Sequence, residues 1–149
     1  MKKIGLHVVR GQFTSGKKAI KVPLFDDDIN TGYKIVEFKV AFANRADINP
    51  ESVSAKITTF ESGSAATVDW DWGDTREIAW AYGFSDANTS VGADHQFQVI
   101  DPSNLCVEDV YISGYSYADQ EIFNYMIVFE KYELAQYDGV LSMVRNRAE

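Results

Sequence analysis

One cysteine, two histidines and three prolines are found among 149 residues, and each scarcity excludes something. A lone Cys106 forms no intramolecular disulfide, which fits a protein made in a reducing compartment; nothing around it suggests thiolate activation, so it reads as a small buried hydrophobe. His7 and His95 have no partner at metal-ligand spacing, and no serine sits in a strained-turn motif of the nucleophile-elbow kind. No run approaches the roughly 18 apolar residues that a membrane-crossing helix needs. Met1 to Val9 is too short, and too interrupted by His7 and closed by Arg10, to serve as a secretion signal. Basic residues are outnumbered 14 to 22 by acidic ones, which argues against a direct role in binding nucleic acid.

What basic charge there is lies at one end. The first 21 residues hold Lys2, Lys3, Arg10, Lys17, Lys18 and Lys21 and no acid, so they carry +6 and leave −14 on the remaining 128 of a chain whose net charge is −8. Residues 1–18 accordingly read as an extended basic arm, and 19–149 as a single domain, long enough to bury about 70% of its unfolded surface without metal or disulfide.

Aromatic and β-branched residues are plentiful, with nine Phe, eight Tyr and three Trp, and the hydrophobic periodicity is that of strands. Short strands are expected at Lys3–Val9, Lys18–Leu24, Tyr33–Ala43, Val53–Phe60, Thr67–Trp72, Glu77–Gly83 and Gln96–Ile100, and two more between Val107 and Leu134. Pro23 marks the second as an edge strand. In Tyr33–Ala43, Val36, Phe38, Val40 and Phe42 share one face. In the last strand Phe123, Tyr125, Ile127 and Phe129 share one face while Ile122, Met126, Val128 and Tyr132 make the other apolar too, which calls for cover on both sides. Asp138–Arg147 is expected to be helical, with Val140, Leu141 and Val144 on one side, and to dock on the sheet or on a neighbour. The fold class is all-β: an antiparallel β-sandwich or jelly roll of eight or nine strands with a short C-terminal helix.

Four groupings invite a chemical reading. Asp26, Asp28 and Asn30 have the oxygen spacing of a calcium loop, but the glycine falls one place late and strands flank it, so an acidic β-turn is the plainer reading. Asp69, Trp70, Asp71 and Trp72 alternate carboxylate and indole. Trp70 and Trp72 suit a glycan contact, and Asp69 or Asp71 a glycosidase, although strand alternation would bury the indoles and leave the carboxylates in water. Gly11 and Gly16-Lys17 have P-loop spacing, yet Lys18 stands where Ser or Thr is needed. Tyr111, Tyr115 and Tyr117 belong to a tyrosine-rich stretch suited to an interface or to strand pairing.

The segments FDDDINTGYKIVEF, IDPSNLCVEDVYISGYSY and NYMIVFEKYEL resemble small β-sandwich virion structural proteins of tailed bacteriophages, of the capsid-decoration or head-stabilising type. The resemblance implies a non-enzymatic role in a virion, after synthesis in the host cytoplasm. It needs no cofactor; its partners would be other virion proteins, such as the major capsid protein, and further copies of the chain in a homo-oligomer. On that reading Lys2, Lys3, Arg10, Lys17 and Lys18 would meet the acidic body of a neighbour, with Tyr111, Tyr115 and Tyr117 as interface aromatics. The reading from another class is a calcium-assisted carbohydrate-binding module that uses Trp70 and Trp72 with Asp26, Asp28 and Asn30.

Overall fold

The computed structural model describes residues 1–24, 27–43, 51–61, 69–85, 95–116, 122–135 and 138–147. Within them eight strands run in chain order: β1 (Lys2–Thr14), β2 (Ile20–Val22), β3 (Thr31–Phe42), β4 (Glu51–Thr58), β5 (Glu77–Ser85), β6 (His95–Ile100), β7 (Val110–Ser116) and β8 (Ile122–Glu133). One helix, α1 (Asp138–Arg147), follows. All pairings are antiparallel. β1-β8-β3 form one sheet and β2-β7-β4-β5-β6 the other, packed as a sandwich.

The core lies between the sheets. Phe13, Ile35, Phe38, Val40, Phe42, Phe123, Ile127 and Phe129 come from the three-stranded side, and Val22, Val53, Ala55, Ile57, Ala79, Ala81, Val110 and Ile112 from the five-stranded side. Cys106 is buried in the same core. At the end of β1 the sheets come so close that a Cβ on Gly114 would lie 2.3 Å from the Phe13 ring, so β7 has room there only for glycine. The chain crosses at this point, with Gly16 N donating to Gly114 O (3.2 Å) and the Ser15 hydroxyl accepting from Ser116 N (2.8 Å).

The segment read as an extended basic arm is extended, and its backbone pairs with β8 from Lys2 to Thr14. Three expectations need correction. Val36 does not share the inward face with Phe38 and Val40: the pairing with β8 shifts between Ile35 and Glu37, so Ile35 is 1% exposed and Val36 39%. An extra residue in a strand reverses the alternation, which a fixed period of two cannot register. Asp69–Asp74 is turn and coil rather than strand, because Asp71 and Asp74 close tight turns through their carboxylates on Gly73 N (2.9 Å) and Arg76 N (3.0 Å). Thr67 and Val68 lie outside the described residues.

The third correction concerns the docking of α1 on the chain's own sheet. Val140, Leu141 and Val144 point outward, and within the chain the helix is held by its other side. Gly139 lies against the Ile29 carbonyl, Asn146 Nδ2 donates to Leu105 O (2.9 Å), Asn146 O accepts from the Thr59 hydroxyl (2.7 Å), and Arg147 pairs with Glu108. Loops at one end of the sandwich thus hold α1. The outer face of β8 stays uncovered, with Ile122 and Met126 exposed beside the half-buried Val128.

Candidate functional site

The two edges of the three-stranded sheet differ in how their backbone is satisfied. On the free side of β3, Tyr33 exchanges both backbone hydrogen bonds with Cys106 (2.7 Å each). Asn104, 2% exposed, accepts from Ile35 N through Oδ1 (2.7 Å) and donates through Nδ2 to Ile35 O (3.2 Å) and Asp101 O (2.6 Å). Gln98 Oε1 accepts from Phe38 N (2.7 Å). Gln98 of β6 and the segment between β6 and β7 therefore take the place of a fourth strand. Along β1, by contrast, no strand among the described residues occupies the free side.

β1 also turns its apolar residues outward. Inward it presents Val9, Gly11 and Phe13, while Leu6 is 64% and Val8 53% exposed, with Ile4 exposed at a shift in the pairing. Val8 stands beside Val128, and Arg10 beside Met126. A cleft of about 540 Å³ opens along this face between Arg10, Gln12, Lys39, Asn124 and Met126, with the Gln12 and Asn124 amides joined at 2.9 Å. Burial pushes the Tyr125 phenol above its ordinary value.

The basic residues do not gather into one patch. Lys2 and Lys3 stand at one end of β1, Arg10 lies toward its far half, and Lys17 and Lys18 occupy the turn beyond its other end, about 40 Å away at roughly 3.3 Å per residue. Lys2 lies opposite Glu133, Lys3 pairs with Glu130 (3.1 Å), and Lys21 pairs with Asp109 (3.1 Å). The Tyr132 hydroxyl and then Lys3 hold the Glu130 carboxyl below its usual range. On β1 itself, Lys3 is thus paired within its own sheet and Lys2 stands in register with an acid.

A second surface forms on the outer face of the five-stranded sheet. Trp80 stands on that face yet is 5% exposed, because the 69–76 segment folds over it. One carboxylate holds the cover down: Glu77 Oε1 accepts from Trp80 Nε1 (3.0 Å) and Asp71 N (2.9 Å), and Oε2 accepts from Lys56 Nζ (2.8 Å). Trp72 leans on Trp80 (centroids 5.7 Å apart) and stays 64% exposed. Trp70 stacks on Phe97 (6.4 Å, 11° between planes), its buried Nε1 lacking a hydrogen-bond partner among the described residues. Tyr82 lies beside Phe97 in register. Nearby, Asp74 is held below its ordinary pKa, first by its hydrogen bonds to the Arg76 guanidinium, whose carbon lies 4.1 Å from the Phe60 ring centre.

The other sequence candidates are scattered. Asp28 serves its own turn, accepting from Asn30 N (2.8 Å) and the Thr31 hydroxyl (3.4 Å), while the Asn30 carbonyl accepts from Leu134 N (2.6 Å). Asp26 lies outside the described residues, among which no three metal-ligating side chains gather. Tyr111 and Tyr115 are half-buried on β7, opposite Lys21 and Ser54 respectively, Tyr111 also facing Thr58; Tyr117 lies outside the described residues. No helix among the described residues is long and apolar enough to cross a membrane.

Sequence reasoning missed Leu6, Val8 and Phe97. The alternation Ile4, Leu6, Val8 was the available signal for the first pair, but alternation reports an apolar face without saying what covers it. No protein-family model and no curated protein matches this chain.

Proposed function

We propose that this chain is a non-enzymatic structural protein of a bacteriophage particle, which stabilises or decorates the particle through protein–protein contacts. One observation carries the reading: the outer face of the three-stranded sheet displays Leu6, Val8, Ile122 and Met126 around the half-buried Val128, and α1, the element that might have covered them, is anchored elsewhere. Contiguous exposed apolar surface marks contact sites. The outward Leu141 and Val144 of α1 add a second such place. The partners fitting this reading are other virion proteins, such as the major capsid protein, and further copies of the chain. The test is co-purification with intact particles: expected for the wild type and lost when Leu6 and Val8 are both changed to Lys. Recovery only as free protein would sink the reading. Deleting residues 1–18 is a poorer test, because it removes Phe13 from the core.

A carbohydrate-binding role is the second reading, favoured by Trp72, Tyr82 and Phe97 standing exposed around Trp80. Sugars stack on aromatic faces. Glycan-array binding that disappears with Trp72→Ala supports it, and loss on chelation would add calcium. An array without signal removes it.

A further inference from the structure

We propose that β1 is a pairing edge for β1 of a second copy, the two strands running antiparallel about a two-fold axis at His7. This deepens the reading of a protein that works by contacts among its own copies, and rests on that reading for its meaning. β1 is 13 residues long, contains no proline, and is paired on one side only among the described residues. Such an edge presents a row of N–H and C=O groups to a partner strand. The same sheet closes its other edge with Asn104, Cys106 and Gln98.

The side chains choose the partner. A two-fold axis perpendicular to the sheet keeps inward faces together, so residues of like parity must meet. With the axis at His7, Leu6 faces the second copy's Val8 and Val8 faces its Leu6. Both of these apolar pairs lie on the outer face, flanked in each copy by Val128, which stands beside Val8. Two half-exposed patches become one apolar cluster across the axis, and the sheet becomes six-stranded in the order β3-β8-β1-β1-β8-β3. Moving the axis to Val8 would set Leu6 against the other copy's Arg10 and lose this match.

Charge is the obvious objection to joining two basic strands, and it is answered in part: Arg10 would face the second copy's Ile4 rather than another cation. Lys2 lies opposite Glu133 and Lys3 is bound to Glu130. Lys17 and Lys18 belong to the turn after β1, beyond the pairing region.

The test uses the full chain. Sedimentation velocity over a wide concentration range should show a dimer for the wild type. Leu6→Lys combined with Val8→Lys should give a monomer of unchanged circular dichroism, since both side chains already face water. His7→Cys should oxidise to a covalent dimer, because that residue faces its own copy, whereas Gln12→Cys should not; Cys106 is buried and out of reach. A wild type that stays monomeric throughout, or His7→Cys that cross-links no better than Gln12→Cys, overturns the pairing. The two readings fail separately. A dimer that never joins particles keeps the pairing and removes the particle role; a monomer that still joins particles does the reverse.

Discussion

β3 and β1 flank the same central strand over nearly the same length, yet among the described residues one is sealed and the other left open. Sealing β3 required a buried asparagine whose amide reads both backbone groups of Ile35, a residue exchanging two bonds through Cys106, and a glutamine side chain on Phe38 N. None of the described residues does this for β1, and its exposed side carries Leu6 and Val8. Closing an edge costs polar burial that must be fully satisfied, and the contrast between a closed edge and one that stays open and apolar among the described residues is what the proposed pairing of copies rests on.

The largest way to break this contrast is Asn104→Ala. It leaves the N–H and C=O of Ile35 without partners in a buried setting, at about 1–3 kcal/mol for each group, and should lower the urea midpoint without changing the slope. Next comes Gly114→Ala, which forces a methyl into the Phe13 ring that anchors β1 to the other sheet. A loss of about 1–3 kcal/mol is expected, read as a lower Tm. A stability unchanged by either variant would remove the packing account of the corresponding edge.

A third test sharpens the contrast by locating acid sensitivity away from both edges. The Asp74 pKa is depressed in the folded chain, so its stabilisation is fully present above the ordinary aspartate value of about 3.9 and is lost as pH falls through the lowered one. Asp74→Asn should therefore flatten the acid limb of the stability profile below about pH 4; a limb of unaltered steepness would assign it to other carboxylates. The smallest effect is expected from Leu6→Lys with Val8→Lys. Unfolding of the monomer should move by no more than about 0.5 kcal/mol, while self-association is lost.

The two-sheet architecture was legible because nearly every strand announces itself by alternation, aromatic content and flanking turn residues. β2 fell at an edge, as Pro23 required. What was not legible has particular causes. The shift at Val36 reversed the faces of β3 in mid-strand, which no fixed period predicts. Trp70 and Trp72 read as a strand, but the Glu77 carboxylate, bonded to both Asp71 N and Trp80 Nε1, pins them as a folded-over loop. The apolar face of α1 was visible as a pattern, but its docking is decided by the fit of Gly139 under Ile29 and the bonds of Asn146. The aromatic surface was half visible: Trp70, Trp72, Trp80 and Tyr82 lie close in sequence, while Phe97 joins them only through the pairing of β5 with β6.

The most direct test of the open-edge account is amide hydrogen exchange, residue by residue, on β1 and β3 over a series of protein concentrations. The account predicts that Tyr33, Ile35 and Phe38 amides exchange slowly at every concentration, while alternate amides between Gly5 and Val9 exchange fast in dilute protein and slow as concentration rises. If β1 protection is the same at all concentrations, the edge is not a site where copies meet.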